Sequence, residues 1–252
     1  MSEENMGSTS SIKIINPDSA GIDIGASSHF VAVPEGRDSE IVKEFECYTP
    51  DIQEMIQWLK KCKIKTIVME STGSYWIPVF EMLDQEGFEV NLVDAHHLKN
   101  IRGRKSDVID CQWLQQLHAH GLLVAAFRPE DKIIELRSYL RHRSKLIEGA
   151  ATHINRMQKA LIEMNLHLHN AISDITGVTG MKILNAILKG ERDPHKLASM
   201  RDPRCKQPIE VIEKSLQGNY REEHLFTLKQ ELEAYEFYQK QIHECDIAIK
   251  KK

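Results

Sequence analysis

Long apolar runs are missing from this 252-residue chain. No stretch of about 18 apolar residues occurs, so the sequence supports no membrane span. Cysteine is scarce. The five residues Cys47, Cys62, Cys111, Cys205 and Cys245 are odd in number and include no CxxC pair. A disulfide framework or zinc knuckle is therefore disfavoured, and a reducing compartment fits. A dominant charge is also missing: 33 Lys and Arg face 37 Asp and Glu, a net charge of −4. Any nucleic-acid site must come from local charge rather than from the global balance. The polar, acidic start, Met1–Ser11, has no positive segment followed by an apolar one, so export is not expected and a cytoplasmic protein is.

What remains is globular in composition, 41% hydrophobic and 28% charged. Residues 1–11 read as a disordered tail. Gly21–Gly25, His29–Val33 and Ile41–Phe45 read as short strands separated by tight turns, an antiparallel meander. Thr49 caps a helix with Pro50 at its first position, and the apolar face of that helix is Ile52, Met55, Ile56 and Leu59. Thr66–Met69 is a β-branched run ending at Glu70, Tyr75–Glu86 a helix stopped by Gly87, and Phe88–Val93 a further strand. Ser106 caps another helix that stops at Gly121. Helices alternating with strands after a meander predict an α/β domain over 12–127.

Past Pro129 the strand signals end. Ile133, Leu140, Ile147, Ile154, Leu161 and Leu168 recur every seven residues, and Leu136, Ala150, Met157, Met164 and Ala171 fill most of the second apolar positions. This predicts one long coiled-coil helix broken at Gly177 and Gly180. A short helix over 181–189, a Pro-rich charged loop and a final helix over 221–250, returning antiparallel, complete an all-α antiparallel coiled-coil and dimerisation region over 128–252.

Four acids stand out by position. Asp23 interrupts an apolar strand, Glu70 ends another, and Asp107 and Asp110 share one face near a helix start. Burying an acid in an apolar strand is costly without a cation or partner. Acids converging from several elements fit Mg2+, which prefers hard oxygen ligands and substrate phosphate. A pair of ions about 3.5–4 Å apart serves phosphoryl transfer. Taken singly, each acid also has a plain structural role, shaping a turn or favouring a helix start.

Gly21-Ile22-Asp23-Ile24-Gly25, Met69-Glu70-Ser71-Thr72-Gly73-Ser74-Tyr75-Trp76, Val93-Asp94-Ala95-His96 and Lys105-Ser106-Asp107-Val108-Ile109-Asp110 together resemble the signature of DEDD transposases. These are the bacterial insertion-sequence enzymes of the insertion sequence one-hundred-and-ten type. The resemblance covers nearly the whole chain. It implies a RuvC-like, RNase H-like mixed sheet with flanking helices. It further implies Asp23, Glu70, Asp107 and Asp110 as catalytic and metal-binding tetrad, with Mg2+ or Mn2+ as cofactor. DNA is the implied substrate, a structured guide RNA the implied partner and a homodimer the implied assembly. Family members continue into a C-terminal domain with a serine nucleophile. The chain ends at Lys252 without one, so a truncated, split or shortened transposase is expected. Cys111 stands where the family has a small apolar residue and reads as a packed helix residue.

Charge is locally uneven. Between His96 and Lys145 ten bases face five acids. Lys99, Arg102, Arg104 and Lys105 precede the acid pair and suit a phosphate backbone. Arg137, Arg141 and Arg143 offer a second track on the long helix, where a solvated face is the plainer alternative. His96/His97, His118/His120 and His167/His169 lack a third ligand at metal spacing. Tyr75 and Trp76 read as core or as base-stacking residues. Two other functions stay open. One is an actin-like or sugar-kinase ATPase, disfavoured by only 13 glycines without further phosphate loops. The other is a non-catalytic, nucleic-acid-binding, dimerising remnant.

Overall fold

The computed structural model describes residues 13–71, 73–94 and 107–252, with side chains from residue 110 onward in the last stretch. It divides after Arg128 into two compact units. The predicted bases Lys99, Arg102, Arg104 and Lys105 and the pair His96/His97 lie outside the described residues.

The first unit is a five-stranded mixed sheet. Strands β1 (Ser19–Ile24), β2 (Ser28–Ala32) and β3 (Val42–Glu46) form the antiparallel meander, closed between β1 and β2 by the Gly25 N–H donating to the Ser28 carbonyl at 3.0 Å. Helix α1 (Thr49–Lys61) crosses to β4 (Thr66–Glu70), and α2 (Trp76–Gln85) leads to β5 (Glu89–Val93). Helix α3 (Asp107–Ala119) follows. The order β3-β2-β1-β4-β5, with β1, β4 and β5 parallel, is the RNase H-like α/β arrangement expected from the resemblance.

Alternation along the strands splits the sheet into two faces. Ala20, Ile22, Val31, Ile67 and Met69 point into a core with Met55 and Leu59 of α1 and Val79 and Leu83 of α2. Each fully buried large side chain there contributes on the order of 1.5–3 kcal/mol. The opposite face is thinner: Val68 and Val93 meet Leu114 of α3. Thr49 is the first helical residue of α1 rather than its cap. Tyr48 occupies the cap position, and Pro50 in the first turn needs no donor there.

The second unit is all-α. Helix α4 (Asp131–Glu163) and helix α9 (Glu222–Lys250) run antiparallel, as shown by Arg143 pairing with Asp246, His153 with Glu231 and His224 with Glu163. Between them lie α5 (Leu168–Ala171), α6 (Val178–Leu188), α7 (Pro194–Ser199) and α8 (Ile209–Ser215). The long helix is shorter than the heptad pattern predicts. It stops at Glu163, and Asn165 adopts a left-handed φ of 57°. Leu166, Leu168 and Ala171 keep the apolar pattern because they turn into a globular core with Met157, Leu161, Ile183, Leu184, Leu197, Ile212, Leu228 and Leu232. The loop expected around the prolines holds α7 and α8 instead. Asp193 caps α7, its side chain accepting from His195 N–H at 3.0 Å, with Pro194 at the first helical position.

Candidate active site

Asp23 and Glu70 end up as neighbours because β1 and β4 pair in parallel register. Ile22 pairs with Met69, so the next step along both strands sets Asp23 beside Glu70, with strands about 4.8 Å apart. Ile22 and Met69 face the α1/α2 core, so Asp23 and Glu70 face the other side. Both are half-buried. That is the face covered by α3.

The position of α3 follows from one missing side chain. A Cβ at Gly21 would fall well inside contact distance of the Cys111 carbonyl and the Gln115 N–H, and 3.0 Å from Gln115 Cα. Glycine therefore lets the helix backbone lie directly on β1. Further polar contacts hold it there. Gln115 Nε2 donates to Ser19 Oγ at 3.2 Å, and His118 Nε2 shares a 2.8 Å hydrogen bond with Thr66 Oγ1, which also accepts from Asn91 Nδ2 at 3.1 Å. Buried polar groups at a sheet–helix seam need such partners, and these have them.

The direction of α3 comes from the same contacts. Gln115 lies at Ser19, and Cys111 and Gln115 lie at Gly21. The charge of Asp23 reaches Cys111. Moving forward along β1 is thus moving backward along α3. The first turn of α3, with Asp107 and Asp110, lies toward the strand ends that carry Asp23 and Glu70. Asp110 is half-buried, and its charge also acts on Cys111. The Asp107 side chain lies outside the described residues. Among the described residues no group of three or more His, Cys, Asp or Glu side chains forms a set that could hold a metal. Asp23 and Glu70, on adjacent strands, and Asp110, on the helix that covers them, offer carboxylate oxygens, hard donors of the kind suited to Mg2+ or Mn2+.

Cys111 is fully buried under the sheet. Burial first, then the negative charges of Asp23 and Asp110, push its thiol up to about 12. It is a packing residue and not a nucleophile at neutral pH. His118 is buried against Thr66, and its pKa is lowered by desolvation. It braces the helix and is not placed as a metal ligand. His167 Nε2 meets Asn165 Oδ1 at 3.0 Å, a local turn contact. Trp76 packs edge-on against Phe80 with ring centroids 5.9 Å apart, whereas Tyr75 is exposed.

Of the bases predicted on the long helix, Arg137 and Arg141 are exposed. Arg143 is different: its Nε donates to Asp246 at 2.5 Å, which ties α4 to α9. Its guanidinium thus pairs the two helices, a contact that Arg137 and Arg141 do not share. Ser19 and Gln115 are functional contacts that sequence reasoning missed, and Gly21, Thr66 and His118, named there for other reasons, were not read as the seat of this helix. Their signal is weak, because a glycine, two hydroxyls, an amide and an imidazole are ordinary in isolation and acquire a role only through the long-range contact with α3.

A family model described as a transposase, of the DEDD IS110 type, matches residues 20–165. The match takes in the strands that carry Asp23 and Glu70, all of α3 and all of α4. No curated protein matches the chain.

Proposed function

The chain belongs to the IS110-type DEDD transposases, and from that premise we propose that it performs metal-dependent phosphodiester chemistry on DNA with Asp23, Glu70, Asp107 and Asp110 as its carboxylate tetrad. The observation that carries this reading is the seating of α3 on Gly21. It brings the start of an acid-bearing helix toward the ends of two adjacent parallel strands, where Asp23 is the last residue but one of β1 and Glu70 the last of β4. Four carboxylates there would repel one another without a cation. Asp23 and Glu70 would hold Mg2+ or Mn2+ from the sheet, and Asp107 and Asp110 from the helix. When bound, the ion polarises the phosphodiester and favours the attacking oxygen as its anion. The residues of this chain would bind the ion and fix its place against the sheet. Lys99, Arg102, Arg104 and Lys105 would contact the DNA backbone there.

The test is calorimetry and cleavage together. Mg2+ binding and Mg2+-dependent nicking of DNA are expected in the full chain and lost in Asp23→Asn and Glu70→Gln. Undiminished Mg2+ binding in both variants would refute the tetrad. The guide RNA and the homodimer belong to the same proposal. Support for the dimer is the stripe Ile133, Leu140 and Ile147, 43–44% exposed at seven-residue spacing along α4. Sedimentation velocity on Leu140→Gln should show a shift toward monomer; an unchanged coefficient removes the stripe from the interface. Electrophoresis of a structured RNA from the element's non-coding end should show a shifted complex.

A further inference from the structure

Antiparallel pairing of α4 and α9 joins two basic runs that are more than a hundred residues apart in sequence. Arg143 pairs with Asp246, and Lys252 pairs with Glu135 and lies over the Tyr139 ring with 6.0 Å to its centroid. Those contacts set Arg137 level with Lys250 and Lys251. The charge of Lys250 is felt at Asp246, the partner of Arg143. The hairpin is consequently polarised. Its end made of residues 130–148 and 239–252 carries nine Lys and Arg against six Asp and Glu. The other end, residues 149–163 and 222–238, carries three against six.

At the basic end the acids are largely neutralised by close partners: Asp246 by Arg143, Glu148 by Lys145, Glu135 by Lys252 and Glu244 by Lys240. The exposed cations Lys132, Arg137, Arg141, Lys250 and Lys251 have no ion-pair partner among the described residues. A solvated helix usually intersperses its signs. Here these five cations outnumber the two remaining acids, Glu130 and Asp131 at the start of α4, and are gathered by tertiary pairing. Residues 132–145 span about 20 Å along α4 at about 1.5 Å per residue. That length matches about six phosphates of one strand at about 3.4 Å each.

We propose that the end of the helical hairpin formed by Lys132, Arg137, Arg141, Lys250 and Lys251 is a sequence-independent docking surface for the phosphate backbone of duplex DNA. This rests on the reading of the chain as an enzyme acting on DNA, and extends it to a contact in the second unit. Arg143 is a positioning residue within it, since its bond to Asp246 aligns the two basic runs.

The experiment measures binding of the full chain to duplex DNA by fluorescence anisotropy over a series of salt concentrations. Each neutralised phosphate contact contributes about 0.9 to the slope of log K against log salt. The double variant Arg137→Gln/Arg141→Gln is expected to lower the slope by nearly two, and so is Lys250→Gln/Lys251→Gln. Each should weaken binding severalfold in moderate salt. Arg156→Gln/Lys159→Gln, at the acidic end, is expected to leave the slope unchanged. All six altered positions are exposed, and thermal melting reports folding separately. Slopes equal to the parent chain in both double variants would overturn the proposal, as would binding to structured RNA alone with none to duplex DNA. Asp23→Asn separates this surface from the tetrad. Loss of nicking with an unchanged slope supports both ideas. Retained Mg2+ binding and nicking with lowered slopes in the arginine and lysine variants would sink the tetrad and leave the docking surface standing.

Discussion

Gly21→Ala is the sharpest perturbation the fold offers, because one methyl group tests both packing and site assembly. The new Cβ would collide with backbone atoms at Cys111 and Gln115, not with a side chain that can rotate away. Restoring an ordinary contact of about 3.4 Å or more moves α3 outward by about 1 Å, or bends β1. The shift stretches the Gln115–Ser19 bond from 3.2 Å and the His118–Thr66 bond from 2.8 Å. Overpacking of this kind costs about 1–3 kcal/mol, and weakening buried hydrogen bonds moves the expected total to its upper end. A displacement of about 1 Å at the acids should also lower phosphodiester turnover by about 100-fold. Urea denaturation monitored by tryptophan fluorescence, with Trp58 and Trp76 in the sheet unit, reads the first effect. Mg2+-dependent nicking of DNA reads the second, and calorimetric Mg2+ binding reports whether the acids still gather an ion. Gly36→Ala is the control: its φ of 83° makes the substitution strained, but nothing lies within 4 Å of the added methyl. It should cost about 1 kcal/mol and leave Mg2+ binding intact. A Gly21→Ala protein with the stability and Mg2+ affinity of the parent would refute the seating of α3 as the basis of the site.

Other expectations follow from single contacts. His118 and His29 are both held below the usual imidazole range by desolvation, so the folded form resists a proton the unfolded chain accepts. Stability from this source is complete above about pH 6.5 and falls as pH drops below it, so melting temperature should decline between about pH 6.5 and 5. His118→Gln should flatten that decline. Cys111 and Cys62, buried and raised, should resist iodoacetamide in the native protein, while half-buried Cys47 and Cys205 react; mass spectrometry of the digest decides. In the helical unit a Cβ at Gly180 meets the Ile175 backbone, with Ile175 Cα at 2.6 Å, whereas at Gly149 it meets the Tyr238 ring. Gly180→Ala should therefore destabilise by about 2–3 kcal/mol and Gly149→Ala by less, since a tyrosine can swing aside. Equal urea midpoints for the two variants would contradict this.

The sheet was legible because its strands are short, β-branched and bounded by turn residues, and because Ile22 and Met69 alternate with Asp23 and Glu70. The acids were legible for the same reason: an aspartate inside Gly-Ile-Asp-Ile-Gly violates the local pattern. The end of the long helix was not. Leu168 keeps the seven-residue spacing of Ile154 and Leu161, and Ala171 that of Met157 and Met164, yet they are buried in a different way, around the left-handed turn at Asn165. Periodicity reports that a residue is apolar on one face and cannot report which neighbour covers it. Helix α7 did leave a signal in Asp193-Pro194, an N-cap followed by a first-turn proline, but its six residues are too few for a period to emerge.

Arg143 and Gly21 mark the same boundary from opposite sides. By residue type Arg143 belongs with Arg137 and Arg141, and only the fold separates it by supplying Asp246 from the far end of the unit. Gly21 belongs by type with any turn glycine, and only α3 gives it a function. In both cases the side chain, or its absence, matters through a partner about a hundred residues away. A carboxylate tetrad drawn from β1, β4 and α3 depends on the second kind of information, because acids must lie within a few ångströms of one another to share one cation. The register of β1 on β4 sets two of the acids side by side. The close approach at Gly21 then determines whether the other two share their cation or stand in solvent. The proposed chemistry therefore depends on a residue that carries no functional group, and in Gly21-Ile22-Asp23 the glycine is a helix seat set two residues before the proposed ligand.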